Sequence, residues 1–199
     1  MLIYKLVNIG ILGIVFLFEE KICDYIQLKK TYPLIEKLLI GVYVLLILSV
    51  TVFREKSFKI PQKILIPFKS YVSLITTHWH GNGLYIAMAL LGNIILFVPL
   101  GILLSKVIKK NNVKIVVLIG FLCSLMIETY QYFSLIGTFE VDDLIQNTWG
   151  ACIGCCLGNI VNEVYNKGEL NTKAVKNMYP IICFIIIFSI SCLLSMLYK

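Results

Sequence analysis

The sequence predicts an all-α fold, a polytopic helical membrane bundle of five to six transmembrane helices with one further amphipathic helix lying in the interface or re-entering the membrane. Three observations predict it. The chain of 199 residues is 59% hydrophobic and only 15% charged. Its mean hydropathy is +0.88. The apolar residues also fall in blocks close to the roughly 20 residues that a helix needs to cross the hydrocarbon core. One integral membrane domain, 1–199, accounts for the chain, with no internal repeat or low-complexity tract.

The blocks run, in order, over about 2–18, 38–53, 84–105, 113–136, 144–161 and 179–198. The first carries Lys5 but no small-x-small cleavage site before Glu19 and Glu20. It reads as a retained helix, with a cleaved or peripheral segment as the alternative. The first two blocks are the shortest. Between the second and third, PFKSYVSLITT sets Phe68, Tyr71, Val72 and Ile75 on one helical face after Pro67. That segment is too short to span and suits the membrane interface. HWHGNG follows as a turn, in which His78 and His80 read as solvated beside an interfacial Trp79 rather than as metal ligands. The last block, about 179–198, is an extra C-terminal helix.

The net charge of +7 does not point to nucleic acid here. In a membrane protein, basic residues concentrate in cytosolic loops facing anionic lipid. The loop 106–114 holds Lys106, Lys109, Lys110 and Lys114, the next loop around 137–143 holds none, and 162–178 holds Lys167, Lys173 and Lys176. These loops orient 106–114 and 162–178 inside, so that both termini, 54–83 and the acidic turn fall outside. Eleven basic residues then lie inside and seven outside. Six of the seven cysteines sit within apolar blocks, and Cys23 lies in a loop. The CxxCC at 152–156 has no second pair and no nearby histidine, so these cysteines read as small packing residues. No metal and no cofactor is expected.

Polar residues gather in three blocks. In the fourth, Ser124, Glu128 and Gln131 form one stripe. In the fifth, Asp143 and Asn147 lie on the same face as Gly150, Gly154 and Gly158, whose four-residue spacing suits close packing against another helix. The short turn near Gly137 makes these two helices antiparallel neighbours. In the third, Asn93 sits midway, and Pro99 and Gly101 can bend the helix. An ionisable group facing lipid costs about 2.5–3.5 kcal/mol or more. Glu128 and Asp143 therefore face a cavity or a partner, with Gln131 and Asp142 at the rim and Arg54 as the nearest cation. The plainer alternative is that Glu128, Asp143 and Arg54 only pin the bundle together.

The series IPF (66–68), GNIILFVPLGILL (92–104), SLMIETYQY (124–132) and VDDLIQNTWGACIG (141–154) resembles, in order and spacing, the VanZ-like membrane proteins. The resemblance covers roughly 38–160. It implies an integral membrane protein of bacteria, in a family named for a member that lowers susceptibility to the glycopeptide teicoplanin. By matching positions, Arg54, Asn93, Pro99, Gly101, Glu128, Gln131, Asp142, Asp143 and Asn147 correspond to the family's characteristic polar and helix-shaping residues. There is one departure. Many members carry an arginine after the glycine of the turn, where this chain has Thr138 in GTFEVDD and an added Glu140.

Three functions compete at this stage. A binding module would hold the head group of a membrane lipid, a lipid-linked cell-wall precursor or a glycopeptide antibiotic in an outward-facing polar pocket. A membrane-embedded enzyme would use Glu128 and Asp143 as general acid and base on a lipid or cell-wall intermediate. No G-x-S-x-G, HExxH or DDxxD motif accompanies them. A small transporter is the third, against which stand the few helices and the absence of a visible inverted repeat.

Overall fold

The computed structural model describes residues 8–18, 32–52, 59–69, 83–108 and 112–167. Arg54, residues 78–82 of the histidine turn, most of the expected amphipathic helix, Cys23, Cys183, Cys192 and the expected helix 179–198 lie outside the described residues. The described chain is mostly helical. Its elements are α1 (Asn8–Phe18), α2 (Tyr32–Thr51), β1 (Lys63–Ile64), α3 (Gly83–Val107), α4 (Val113–Ser134), β2 (Phe139–Glu140) and α5 (Val141–Lys167).

Consecutive helices alternate in direction, as their contacts require. Along α3 and α5 the paired positions rise together, with Gly150 at Phe97, Gly154 at Gly101 and Gly158 at Ser105, so these helices are parallel. Between α4 and α5 the numbers run opposite ways, with Ala151 at Gly120 and Asn147 at Ser124. α1 lies along α3 in the same sense, Gly10 at Ile95 and Gly13 at Pro99. α2 crosses between them. Its Tyr43 hydroxyl donates to the Leu96 carbonyl at 3.0 Å, and its ring meets Phe16 edge-on at 6.2 Å.

The core is a seam to which all five described helices contribute, built on Ile9, Phe16, Tyr43, Leu96, Phe97, Ile102, Val116 and Cys155. The closest approach is that of α3 to α5. A Cβ on Gly150 would lie 2.3 Å from the Ile94 carbonyl oxygen, and one on Gly154 2.0 Å from that of Val98. Only a bare Cα leaves room for those carbonyls. α3 runs through Pro99 without interruption. Gly101 also has a packing role. A Cβ there would fall 2.0 Å from the Ala151 carbonyl oxygen, so Gly101 seats the α5 backbone.

Outward faces are apolar. Leu118 and Met126 of α4, Leu38 and Leu45 of α2, and Ile14 of α1 are all exposed. By length and composition α4 is able to cross a membrane, while Lys37–Thr51 and Leu91–Val107 are apolar but shorter.

Two boundaries differ from the expected ones. α4 stops at Ser134 because Leu135 turns left-handed, φ 61°, and its N–H caps the Gln131 and Tyr132 carbonyls. α5 begins at Val141 rather than 144. Asp142 and Asp143 thus occupy a first helical turn, where carboxylates complement the helix dipole by about 0.3–1 kcal/mol each. The described chain is also not wholly α-helical. Lys63 and Ile64 pair in parallel with Phe139 and Glu140, a two-residue bridge that no periodicity announced.

Candidate functional site

The end of the bundle where α4 stops and α5 starts collects the polar residues. α4 contributes its buried stripe of Ser124, Glu128 and Gln131. α5 contributes buried Asp142, Gln146 and Asn147, and half-buried Asp143. The register that sets Gly120 at Ala151 and Ser124 at Asn147 sets Glu128 opposite Asp143, one turn further toward the mouth.

Several of these side chains hold the surrounding backbone. Glu128, only 2% exposed, accepts through Oε2 from the Glu140 N–H at 3.2 Å. Asp142 accepts through Oδ1 from the Phe68 N–H at 2.5 Å, tying the 59–69 loop to the start of α5. Gln131 donates through Nε2 to the Thr51 carbonyl at 2.9 Å, holding the end of α2. Gly137 sits against Gln131, where a Cβ would come within 3.1 Å of Oε1. Five segments therefore converge on one mouth: the end of α2, the 59–69 loop, the end of α4, β2 and the start of α5.

Asn147 differs from these. Its Nδ2 donates to the Ser124 hydroxyl at 2.9 Å, while Oδ1 is buried with no hydrogen-bond partner. The neighbouring Gln146 Oε1 is in the same condition. Two amide oxygens on adjacent residues of one helix thus stand behind the carboxylates as unfilled acceptors. Asn93 is half-buried on α3. The register pairing Phe97 with Gly150 and Gly101 with Gly154 sets Asn93 beside Gln146, and no hydrogen bond joins Asn93 to the acids.

The mouth is rich in acceptors: the carboxylates of Glu128, Asp142 and Asp143 and the two amide oxygens. Such a set suits hydroxyls and amines. Among the described residues no group of three or more His, Cys, Asp or Glu could hold a metal ion. The groove lined by Leu125, Met126, Thr129, Tyr130 and Phe133 lies on the exposed flank of α4, away from the buried stripe.

Sequence reasoning did not anticipate the Phe68–Asp142 contact or the Thr51–Gln131 contact. They join residues 74 and 80 positions apart through backbone groups, which leave no mark on residue type. Gln146 was missed although it lies three residues after Asp143, a spacing that puts it on the same helical face.

Comparison with known proteins adds one finding. The family model described as VanZ/LLP1 matches residues 38–162, a stretch that holds every polar residue of the mouth. No curated protein and no solved structure matches the chain.

Proposed function

The chain belongs to the VanZ/LLP1 family, and from that premise we propose that it is a multi-pass protein of the bacterial cell membrane whose polar mouth binds the head group of an amphiphile. The amphiphile is a lipid, a lipid-linked cell-wall precursor or a teicoplanin-type glycopeptide, and its capture lowers susceptibility to such antibiotics. The observation that carries the reading is the buried, unfilled Asn147 Oδ1. A buried acceptor without a donor costs about 1–3 kcal/mol. A ligand hydroxyl or ammonium between α3, α4 and α5 would supply that donor, close to the carboxylates of Glu128 and Asp143. The apolar outward faces of α1 and α2 support further spans besides α4. The lysine asymmetry of the loops supports a mouth that opens outward.

Glu128→Gln and Asp143→Asn test this. Both keep an oxygen acceptor and shape while removing charge. Binding predicts that each abolishes glycopeptide tolerance while membrane abundance and melting behaviour stay near wild type. A purely structural network predicts lower abundance or Tm, with tolerance falling only in proportion.

A second reading rests on the register that faces Glu128 with Asp143. Two opposed carboxylates can act as general acid and base on a lipid or cell-wall intermediate. Under that reading the two variants still retain the amphiphile but no longer change it, a difference visible by mass spectrometry of extracted lipid.

A further inference from the structure

We propose that the 59–69 loop is a membrane-surface anchor that inserts its apolar side chains among anionic lipid head groups at the bilayer boundary. The inference is independent of whether the mouth binds a ligand, and rests only on α4 crossing the bilayer.

Composition makes the first argument. KIPQKILIPFK interleaves three lysines, Lys59, Lys63 and Lys69, with large apolar residues. All three lysines are exposed, as are Ile60 at 72%, Leu65 at 54%, Ile66 at 63% and Phe68 at 52%. Four large apolar side chains held out of the protein within nine residues form a patch that water does not favour. Interfacial segments combine these same two components, apolar insertion and attraction of lysine to anionic lipid.

Position makes the second. β1 pairs with β2, which follows the end of the apolar α4 by only four residues. The loop is thereby fixed at the level where α4 leaves the hydrocarbon.

Backbone geometry makes the third. Phe68 has φ 64°, a left-handed conformation that a bulky residue rarely adopts and that costs about 1–2 kcal/mol. The Asp142 carboxylate holds it there. The fold thus uses a buried acid to present an aromatic ring outward, instead of letting the turn relax and cover it. The lysines and the apolar side chains together select a lipid surface with negative head groups. A protein partner would need no such mixture along so short a loop.

The test uses the full chain in lipid nanodiscs, with Ile66→Trp as reporter and Ile60→Trp as a second. Both positions are exposed, so neither change disturbs packing. The signal is the emission added over the unsubstituted protein. The anchor predicts that lipids brominated near the head group quench the added emission and that aqueous acrylamide does not. It also predicts local enrichment of a brominated anionic lipid over its zwitterionic counterpart, by about fivefold per lysine engaged. That preference should be lost in the Lys59→Gln, Lys63→Gln, Lys69→Gln variant and weakened by salt. Quenching by acrylamide alone would place the loop in water and overturn the proposal. Quenching by neither reagent would mean that protein covers the loop, which overturns it equally. Equal quenching by the two brominated lipids would refute the role of the lysines.

Discussion

Asn147 is held at one end of its amide and not at the other. Nδ2 donates to Ser124, while Oδ1 receives nothing. Hydrogen bonds between membrane helices average only about 0.6 kcal/mol, because the separated helices also find partners. Replacing both partners with Asn147→Leu and Ser124→Ala removes that bond together with the orphaned acceptor, so Tm should stay within about 2 °C of wild type or rise. The same double variant should lose tolerance completely, because the acceptor for the ligand has gone. A variant equally stable and fully tolerant would remove Asn147 from the site. Leu135 gives a prediction about backbone strain. It ends α4 with φ 61°, where glycine carries no steric penalty. Leu135→Gly should raise stability by about 1 kcal/mol in a thermal melt. No gain would show that contacts of the half-buried Leu135 side chain already offset the strain.

α5 is the element on which both the packing and the mouth depend. Its Gly154 has no space for a methyl group, with the Val98 carbonyl oxygen 2.0 Å from where Cβ would stand. Gly154→Ala should force α3 and α5 apart and cost about 1–3 kcal/mol, read as lost Tm and membrane abundance. Gly41 on α2 is the control, because a Cβ there meets nothing within 4 Å. Gly41→Ala should leave the protein unharmed or stabilise it by up to about 1 kcal/mol through helix propensity. If both changes behave alike, the contact between α3 and α5 is not as close as described. The sequence shows why part of this was legible. Four-residue spacing marks a face of α5, because helical geometry ties spacing to direction. It cannot identify the partner, since the surface that α3 presents is its carbonyl ridge at Ile94 and Val98, and backbone is common to every helix. For the same reason the charged residues of the mouth could be read from their cost in lipid, whereas the 59–69 loop folded over them could not. Two residues of β1 are too few to show alternation, and Phe68 reaches Asp142 through its N–H.

At the scale of the whole molecule, alternating helices bring the end of α2, the end of α4 and the start of α5 to one side. The polar mouth is therefore a property of the bundle and not of any one helix. The lysines on the opposite side, among them Lys106 and Lys114, are what supports the proposed outward-opening mouth. With accessible native cysteines removed, Thr138→Cys should react with an impermeant thiol reagent on whole cells and Asn111→Cys should not. The reverse pattern would turn the protein over in the membrane. The central claim is that the mouth holds the head of an amphiphile by donors directed at Asn147 and the acids beside it. Native mass spectrometry of the protein released from its own membranes reads this most directly, comparing wild type with the Asn147→Leu, Ser124→Ala variant. The account predicts a discrete amphiphile that survives release with the wild type and is absent from the equally folded variant. The same lipid complement on both proteins would contradict it.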